Sequence, residues 1–182
     1  MQFFKTPIEG SIIIEPKIFK DSRGYFFESI NKRRMKKFSN INFNFVQENE
    51  SSSSRGVLRG LHYQLIKPQG KLVRVISGSV LDVIVDLRKS SPSFGKYFSI
   101  HLSGRNKKQL WIPPGLAHGF LTKSEKAIFT YHTTDYYYPE YERTLLWDDD
   151  YLNINWELDG IKPFTSEKDS KGKYFLEADY YD

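Results

Sequence analysis

The 182-residue chain contains no cysteine, and this absence excludes two classes of site. Neither a disulfide framework nor a thiolate metal centre can form without cysteine. The sequence also has no apolar run long enough to cross a bilayer, and its N-terminus, Met1 to Pro7, lacks the apolar region of a signal peptide. We therefore expect a cytoplasmic protein that does not bind a membrane.

The chain has no large excess of charge of one sign. Lysine and arginine number 27 against 22 acidic residues, which gives a net charge of +5. The single basic run, Lys32 to Lys37, is typical of a solvated helix face and does not by itself indicate nucleic-acid binding. The length and a hydrophobic content of 39% suit one packed core, so we predict a single domain over residues 1–182.

Short apolar or alternating runs that end at glycine, proline, serine or asparagine are frequent, and such runs indicate strands. They include 11–16, 42–47, 72–76, 80–87, 97–102 and 127–134. The connection Ser77-Gly78-Ser79 predicts a hairpin between two of these strands. The serine run 51–54 predicts a polar loop, and residue 101 is predicted to point outward from its strand.

Helical signals are few, so the pattern predicts an all-β fold. The segment from Asn31 to Phe38 predicts a helix with one narrow buried stripe, and 148–152 predicts a helical turn in the C-terminal tail. We expect the tail from Tyr136 onward to wrap the mouth of a barrel. The predicted fold is a double-sheet antiparallel jelly roll of the cupin-like kind, with short helical segments at the N-terminal side and in the C-terminal tail.

The most distinctive stretch is Gly56 to Gln64, continued by Gly70 to Val75. Alternation along a strand would place His62 and Gln64 on one face. If that face lines a cavity, His62 is a candidate base, and the two cations Arg59 and Lys71 could hold an anion or a developing oxyanion. A buried structural histidine beside an arginine fits the same stretch.

A metal site is not expected in this stretch. Metal-binding cupins present two histidines one residue apart with further nitrogen and oxygen ligands, because three or four ligands must converge on the ion. Here the position paired with His62 is Gln64, which is a poor ligand. We predict that the protein uses neither a metal nor another cofactor.

Distinctive blocks of sequence follow one another along nearly the whole chain. These blocks are 21–28, 47–51, 56–64, 71–73, 83–88 with 91–92, 111–113, 117–120, Tyr131 with Thr134 and Tyr137, and 166–169. From about Phe3 to Asp169, and in the same order, they resemble the successive motifs of one family, the dTDP-4-dehydrorhamnose 3,5-epimerases.

The resemblance implies an enzyme that epimerises dTDP-4-dehydro-6-deoxy-D-glucose at C3 and C5, giving dTDP-4-dehydro-L-rhamnose in dTDP-L-rhamnose biosynthesis. It implies that His62 is the general base, Asp169 its orienting carboxylate, Lys71 the enolate-stabilising cation and Tyr131 the general acid. Tyr137 matches the aromatic that stacks on thymine. Further positions that match substrate contacts are Arg23, Glu28, Gln47, Asn49, Arg59, His118, Glu142 and Lys168. The family also implies a homodimer in which N-terminal strands cross, so that Arg23 and Glu28 serve the neighbouring site.

The chemistry of a 4-keto sugar requires a set of this kind. Hydrogens on C3 and C5 are both α to the C4 carbonyl, so removal of either gives an enolate with its charge on O4. A histidine suits the base at neutral pH, and a tyrosine suits the acid because it stays protonated. The diphosphate accounts for scattered arginines and lysines.

Two alternatives remain open at this stage. A relative that inverts only C3 or only C5, or that acts on another nucleotide-linked 4-keto sugar, would carry much of the same sequence. A jelly-roll module that binds a sugar nucleotide without catalysis is the alternative of another class. The joint presence of His62, Lys71, Tyr131 and Asp169 favours an enzyme.

Overall fold

The computed structural model describes residues 1–39, 41 and 43–182 and consists mainly of antiparallel strands. The strands are β1 (Gln2–Lys5), β2 (Ile12–Glu15), β3 (Ile18–Asp21), β4 (Gly24–Phe27), β5 (Gln47–Ser54), β6 (Leu58–Gln64), β7 (Lys71–Ser77), β8 (Ser79–Asp86), β9 (Tyr97–Ser103), β10 (Gln109–Ile112), β11 (Leu116–Thr122), β12 (Lys126–Thr133) and β13 (Glu142–Thr144). Helix α1 spans Lys32–Ser39, and single 3₁₀ turns occupy Pro139–Tyr141, Asp169–Lys171 and Phe175–Glu177.

Two large sheets build the jelly roll, which confirms the predicted fold class. One has six strands in the order β1-β2-β10-β7-β12-β5, and the other has five in the order β13-β6-β11-β8-β9. Strands β3 and β4 form a separate two-stranded arm. Because consecutive strands often belong to different sheets, residues that are distant in sequence meet between the sheets.

Apolar side chains fill three layers. The layer between the sheets includes Val73, Ile84, Phe120 and Phe129, all of them buried. These residues come from both sheets, so this layer joins the two halves of the roll and surrounds the site described below.

The two outer sheet faces are also covered. Residues of the C-terminal tail, including Trp156 and Phe175, pack with Leu61 and Val83 on the five-stranded sheet. On the six-stranded sheet, Met35 of α1 packs in a cluster with residues 12, 14, 43, 72 and 111. The tail therefore packs mainly on the outer face of the five-stranded sheet, whereas the sequence predicted that it wraps the mouth of the barrel.

The hairpin predicted at Ser77-Gly78-Ser79 is wrong. Strand β7 pairs with β10 and β12, whereas β8 pairs with β9 and β11 in the other sheet. Gly78 has φ +79°, and an added Cβ would overlap the carbonyl oxygen of Lys126. The glycine thus allows a close approach where the chain passes from one sheet to the other.

The serine run also differs from its prediction. Residues 51–54 form the end of β5, which pairs along its whole length with β12. An edge strand with one exposed face tolerates polar residues, so the hydrogen-bond ladder outweighs the weak strand preference of serine. The expected strand over 42–47 is wrong in its extent, because β5 begins at Gln47, residues 43–46 lie outside any strand, and Asn42 lies outside the described residues.

The helical predictions are partly confirmed. Helix α1 begins at Lys32 and buries Met35, but Phe38, the other apolar residue of the predicted buried stripe, is 42% exposed. Residues 148–152 form turns, not a helix, because the Asp149 carboxylate accepts the backbone N–H groups of Leu152 at 2.7 Å and Phe175 at 2.6 Å. In the described ranges, no helix has the length and apolar character needed to cross a bilayer.

The motif around Asp86 has a structural role. Its fully buried carboxylate accepts hydrogen bonds from Arg88 at 2.8 and 2.7 Å and from the hydroxyls of Ser91 and Ser93, each at 2.6 Å. Burial alone would raise the pKa of Asp86, but these donors outweigh burial and hold the pKa below its usual value. The carboxylate is therefore ionised, and both of its oxygens accept hydrogen bonds.

We expect Asp86→Asn to lower the free energy of unfolding by about 3 kcal/mol, because an amide NH₂ would face donors that need an acceptor. Because folding lowers the pKa of Asp86, its ionised carboxylate stabilises the protein fully at pH values above the usual aspartate pKa. This contribution is lost as the pH falls through the lowered pKa. Urea unfolding at pH 7 and at acidic pH checks both statements. The exposed Asp182→Asn is the control, and equal stabilities for the two variants would contradict the prediction.

Candidate active site

Two histidines lie side by side on the inner face of the five-stranded sheet. His62 of β6 is directly opposite His118 of β11. Residues directly opposite in an antiparallel pair project to the same face. Leu61 and Tyr63 pack in the outer cluster, so the predicted alternation along β6 is confirmed.

The facing wall comes from the six-stranded sheet. Tyr131 of β12 lies opposite Asn49 of β5 on one side and Val73 of β7 on the other. Lys71 is two residues before Val73, so its side chain shares that face. The site therefore has histidines on one wall and a lysine, a tyrosine and an asparagine on the other.

A cavity of about 360 Å³ lies between these walls. This volume suits a sugar ring, and the lining mixes ionisable groups with two phenylalanines. The lining residues are Asn49, Glu50, Ser51, Arg59, His62, Lys71, His118, Gly119, Phe120, Phe129 and Tyr131.

His62 forms an imidazole–carboxylate pair. Its Nε2 lies 2.5 Å from Oδ1 of Asp169, whose side chain is 4% exposed. Burial alone would raise the pKa of Asp169, but the hydrogen bond and charge of His62 and the N–H of Gly60 outweigh burial and lower the pKa. An ionised carboxylate can only accept, so Nε2 carries the hydrogen and the other ring nitrogen is free to take a proton.

Lys71 is half-buried in the cavity wall. Burial lowers its pKa from 10.5 to about 8, although Glu142 and Asp82 act in the opposite direction. Within residues 1–39, 41 and 43–182, no acceptor lies within hydrogen-bond distance of Nζ. Near neutral pH the ammonium group is therefore available to an oxygen of a bound ligand.

Tyr131 faces the histidines from the other sheet. Burial and then the charge of Glu142 raise its pKa above the usual value, while Arg59 and Asn49 act weakly in the other direction. The phenol is therefore protonated at neutral pH and can donate.

A hydrogen-bonded chain runs from the cavity to the C-terminal tail. Gln47 donates to Asn49 at 2.8 Å and accepts the backbone N–H of Tyr137 at 3.4 Å. The Tyr137 hydroxyl and the ammonium of Lys168 both donate to Oε2 of Glu142 at 2.8 Å. These predicted site residues are thus brought together, although Gln47 and Lys168 are 121 positions apart in the sequence.

His118 and Arg59 are also held by specific partners. His118 Nε2 lies 2.9 Å from Oδ2 of Asp82, and both side chains are buried. Arg59 donates from Nε to the Ser53 hydroxyl at 3.1 Å, so the serine strand positions this cation at the cavity.

Arg23 and Glu28 do not line the cavity of their own chain. Arg23 lies on the arm, 88% exposed and paired with Asp21 at 2.6 Å. Glu28 follows the arm and contacts Asn31 at 2.9 Å and Arg34 at 3.5 Å. The expected role of these two positions in the site of another copy of the chain stays a prediction.

The sequence analysis missed the cavity residues Glu50 and Ser51, and it missed the acid Asp82, which holds His118. The signal for Asp82 was present, because an acid at an inner position of the apolar run 80–87 needs a buried partner. Across the part of the chain that is described, no three side chains of histidine, aspartate or glutamate converge as metal ligands would.

Comparisons with known proteins agree with this geometry. The family model described as dTDP-4-dehydrorhamnose 3,5-epimerase matches residues 5–177. A curated dTDP-4-dehydrorhamnose 3,5-epimerase from Pseudomonas aeruginosa is 50% identical, and the match covers 100% of this chain and 99% of that one.

Solved structures are equally similar. The epimerase of the same name from Elizabethkingia anophelis superposes with a TM-score of 0.95 at 43% identity, covering 99% of both chains. A 3,5-epimerase from Legionella pneumophila, solved in complex with dTDP-4-keto-L-rhamnose, gives 0.94 at 47% identity over 98% of this chain and 94% of that one.

Proposed function

The chain belongs to the dTDP-4-dehydrorhamnose 3,5-epimerase family, and from this premise we propose how its own residues perform the epimerisation. The protein is an isomerase. It converts dTDP-4-dehydro-6-deoxy-D-glucose to dTDP-4-dehydro-L-rhamnose by inverting C3 and C5. The observation that carries the proposal is one cavity in which the His62–Asp169 pair faces Lys71 and Tyr131 from the opposite sheet.

In the first half-reaction, His62 removes the proton from the carbon next to the C4 carbonyl. Its free ring nitrogen takes the proton, and Asp169 stabilises the imidazolium that forms. The 2.5 Å contact supports this role, because it fixes both the tautomer and the ring orientation. General-base catalysis of this kind contributes roughly a hundredfold to ten-thousandfold.

The electron pair left by that proton moves into an enolate, with its negative charge on O4. Lys71 stabilises this charge as an ammonium ion in a half-buried position. Its unused donors support the assignment, because a substrate oxygen can take them without breaking a bond in the protein.

Tyr131 then returns a proton to the opposite face of the same carbon, which inverts it. The phenol loses its proton to the carbon and regains one from solvent, while His62 releases its own. Their location on opposite sheets supports this division of labour. Two rounds, one at C3 and one at C5, complete the reaction.

The remaining predicted residues bind the nucleotide sugar. Arg59 and Lys168 pair with the diphosphate, and Tyr137, about half exposed, stacks on the thymine. Gln47, Asn49, His118 and Glu142 contact the sugar, which would reuse the hydrogen-bonded chain described above.

A homodimer would complete the site. The arm formed by β3 and β4 leaves the large side chains of Tyr25 and Phe26 exposed on its own chain. In a second copy this arm brings Arg23 and Glu28 to the neighbouring cavity. A single catalytic domain over 1–182, a cytoplasmic location and the absence of metal and cofactor stay predictions.

Proton NMR in deuterated water tests the proposed function directly. The 4-keto sugar linked to dTDP should exchange hydrogen at both C3 and C5, with and without a strong chelator. Exchange at one carbon would show a single epimerase, and exchange at neither would leave a binding module. Loss of exchange on chelation, restored by a transition metal, would overturn the metal-free mechanism.

Tyr131→Phe should separate the two half-reactions. Only the donated proton is lost, so we expect exchange to persist at one or both carbons while net inversion falls roughly a hundredfold. The retained ring keeps the packing. NMR follows exchange and product together.

Tyr63→Phe is the matched control for this prediction. Tyr63 also has a buried phenol, which donates to the Asp179 carbonyl at 2.9 Å, but it points away from the cavity. Its removal should leave the ratio of exchange to inversion unchanged. Full inversion at both carbons in Tyr131→Phe would assign the acid role to water or another side chain.

A further inference from the structure

Asp82 is an ionisable residue that the proposed reaction does not use. It lies in the apolar strand β8 and its side chain is fully buried. Oδ2 is bonded to His118, whereas Oδ1 has no hydrogen-bond partner in the described ranges. A buried carboxylate with an unused oxygen is costly, and an apolar side chain would fill the same space without that cost.

The position of Asp82 places it beside the cavity. In the pairing of β8 with β11, Asp82 lies opposite Phe120 and Ile84 lies opposite His118. Phe120 and His118 both line the cavity, so Asp82 projects to the same face of the sheet, next to Phe120 and bonded to His118.

Asp82 also acts on Lys71. The charged groups that act on the Lys71 ammonium are Glu142 and Asp82, which favour it, and Lys168, which opposes it. Burial raises the pKa of Asp82 above its usual value, and the charges of His118 and Lys71 act against burial by favouring the ionised form. Glu142 already accepts hydrogen bonds from Lys168 and Tyr137. Asp82, in contrast, has one carboxylate oxygen without a hydrogen-bond partner among the described residues.

We propose that Asp82 is a positioning residue that keeps Lys71 in its ammonium form and holds the ring of His118 against the cavity. This inference rests on the proposed role of Lys71 as the cation that stabilises the enolate. Asp82 touches neither substrate nor the reacting carbons. It acts through its neighbours, because its negative charge opposes the effect of burial, which lowers the pKa of Lys71.

A direct consequence concerns the proton affinity of Lys71. Burial already lowers its pKa to about 8, which is close to neutral. Removing a nearby opposite charge shifts a pKa by about one unit or more. Without Asp82, the lysine should therefore be mostly neutral at pH 8, and the enolate would lose its counter-charge.

The test uses the full-length protein with Asp82→Asn, which keeps the size of the side chain. Lysine labelled with ¹³C and ¹⁵N at the ε position is titrated by NMR, and the Lys71 signal is assigned by its loss in Lys71→Arg. We expect its midpoint to fall by about one unit, and the alkaline limb of the pH–rate profile to move with it. If neither the Lys71 titration midpoint nor the alkaline limb of the pH–rate profile moves, the proposal is wrong.

A matched variant separates charge from structure. Asp149→Asn removes another buried carboxylate, bonded only to backbone N–H groups away from the cavity, and should leave the Lys71 titration unchanged. A fall of the Lys71 midpoint in this variant would contradict a specific charge effect of Asp82.

A measurement on the unmutated protein guards against a variant that fails to fold. The ¹³C signal of the Asp82 carboxyl should report an ionised group between pH 6 and pH 9. A protonated Asp82 in this range would overturn the proposal. Because neither titration needs turnover, failure of the epimerase assay and failure of this inference are distinguishable.

Discussion

His62→Asn should reduce hydrogen exchange at both C3 and C5 by at least about a hundredfold, and by up to about ten-thousandfold. Asparagine has no group that can take a proton at neutral pH. Its amide can still donate to Asp169, so the buried carboxylate keeps a partner and thermal unfolding should change little. Proton NMR in deuterated water and a melting curve measure the two effects.

His101→Asn is the control for this prediction. His101 also contacts a carboxylate, Glu157, with 2.8 Å between Nε2 and Oε2. It lies exposed on β9, outside the cavity, as its alternation predicted. Its replacement should leave exchange unchanged, and wild-type exchange in His62→Asn would remove His62 from the mechanism.

Lys71→Met should lower the activity of the protein and raise its stability. Loss of the cation next to O4 should lower kcat by roughly a hundredfold to a thousandfold, as for other groups that stabilise an oxyanion. The unliganded protein should become more stable, because methionine fills the same half-buried space without a charge to desolvate.

The pKa of Lys71 gives the size and the sign of the stability change. A fall from 10.5 to about 8 means that the folded state binds fewer protons than the unfolded state between these two values. The charge therefore destabilises the protein below pH 8, and the destabilisation fades as pH rises through that window. At pH 7 we expect the free energy of unfolding to rise by about 1 to 3 kcal/mol in the variant.

Chemical denaturation at pH 7 and pH 10 checks this difference, which should be larger at pH 7. The exposed Lys36 of α1 supplies the control, because Lys36→Met removes a charge that is not desolvated and keeps a good helix former. Lys71→Met with full activity, or with lower stability at pH 7, would contradict the assignment of Lys71 as a desolvated cation of the site.

Local sequence patterns were sufficient to predict two features of the fold. The alternation of Leu61, His62 and Tyr63 predicted which side chain faces inward, because the period of a strand is fixed by its backbone. The buried Met35 of α1 followed in the same way from helical spacing, although the same spacing wrongly predicted that Phe38 is buried. Both depend only on neighbours along the chain.

Predictions about pairing were less successful. Ser77-Gly78-Ser79 has the composition of a hairpin, yet Gly78 carries the chain between sheets. The serine run has the composition of a loop, yet a complete ladder with β12 makes it a strand. In both places a partner that is remote in sequence decided the outcome, and composition carries no information about that partner.

The sequence by itself determined the strand-rich character, the inward histidine, the family and the candidate site residues, because these follow from local periodicity and from motifs in a fixed order. Only the tertiary structure decided which groups act on one another. Asp169 meets His62 across 107 positions, and Asp82 meets His118 across 36. The lowered pKa of Lys71 likewise depends on burial between two sheets, and burial is a property of the packed chain, not of any segment.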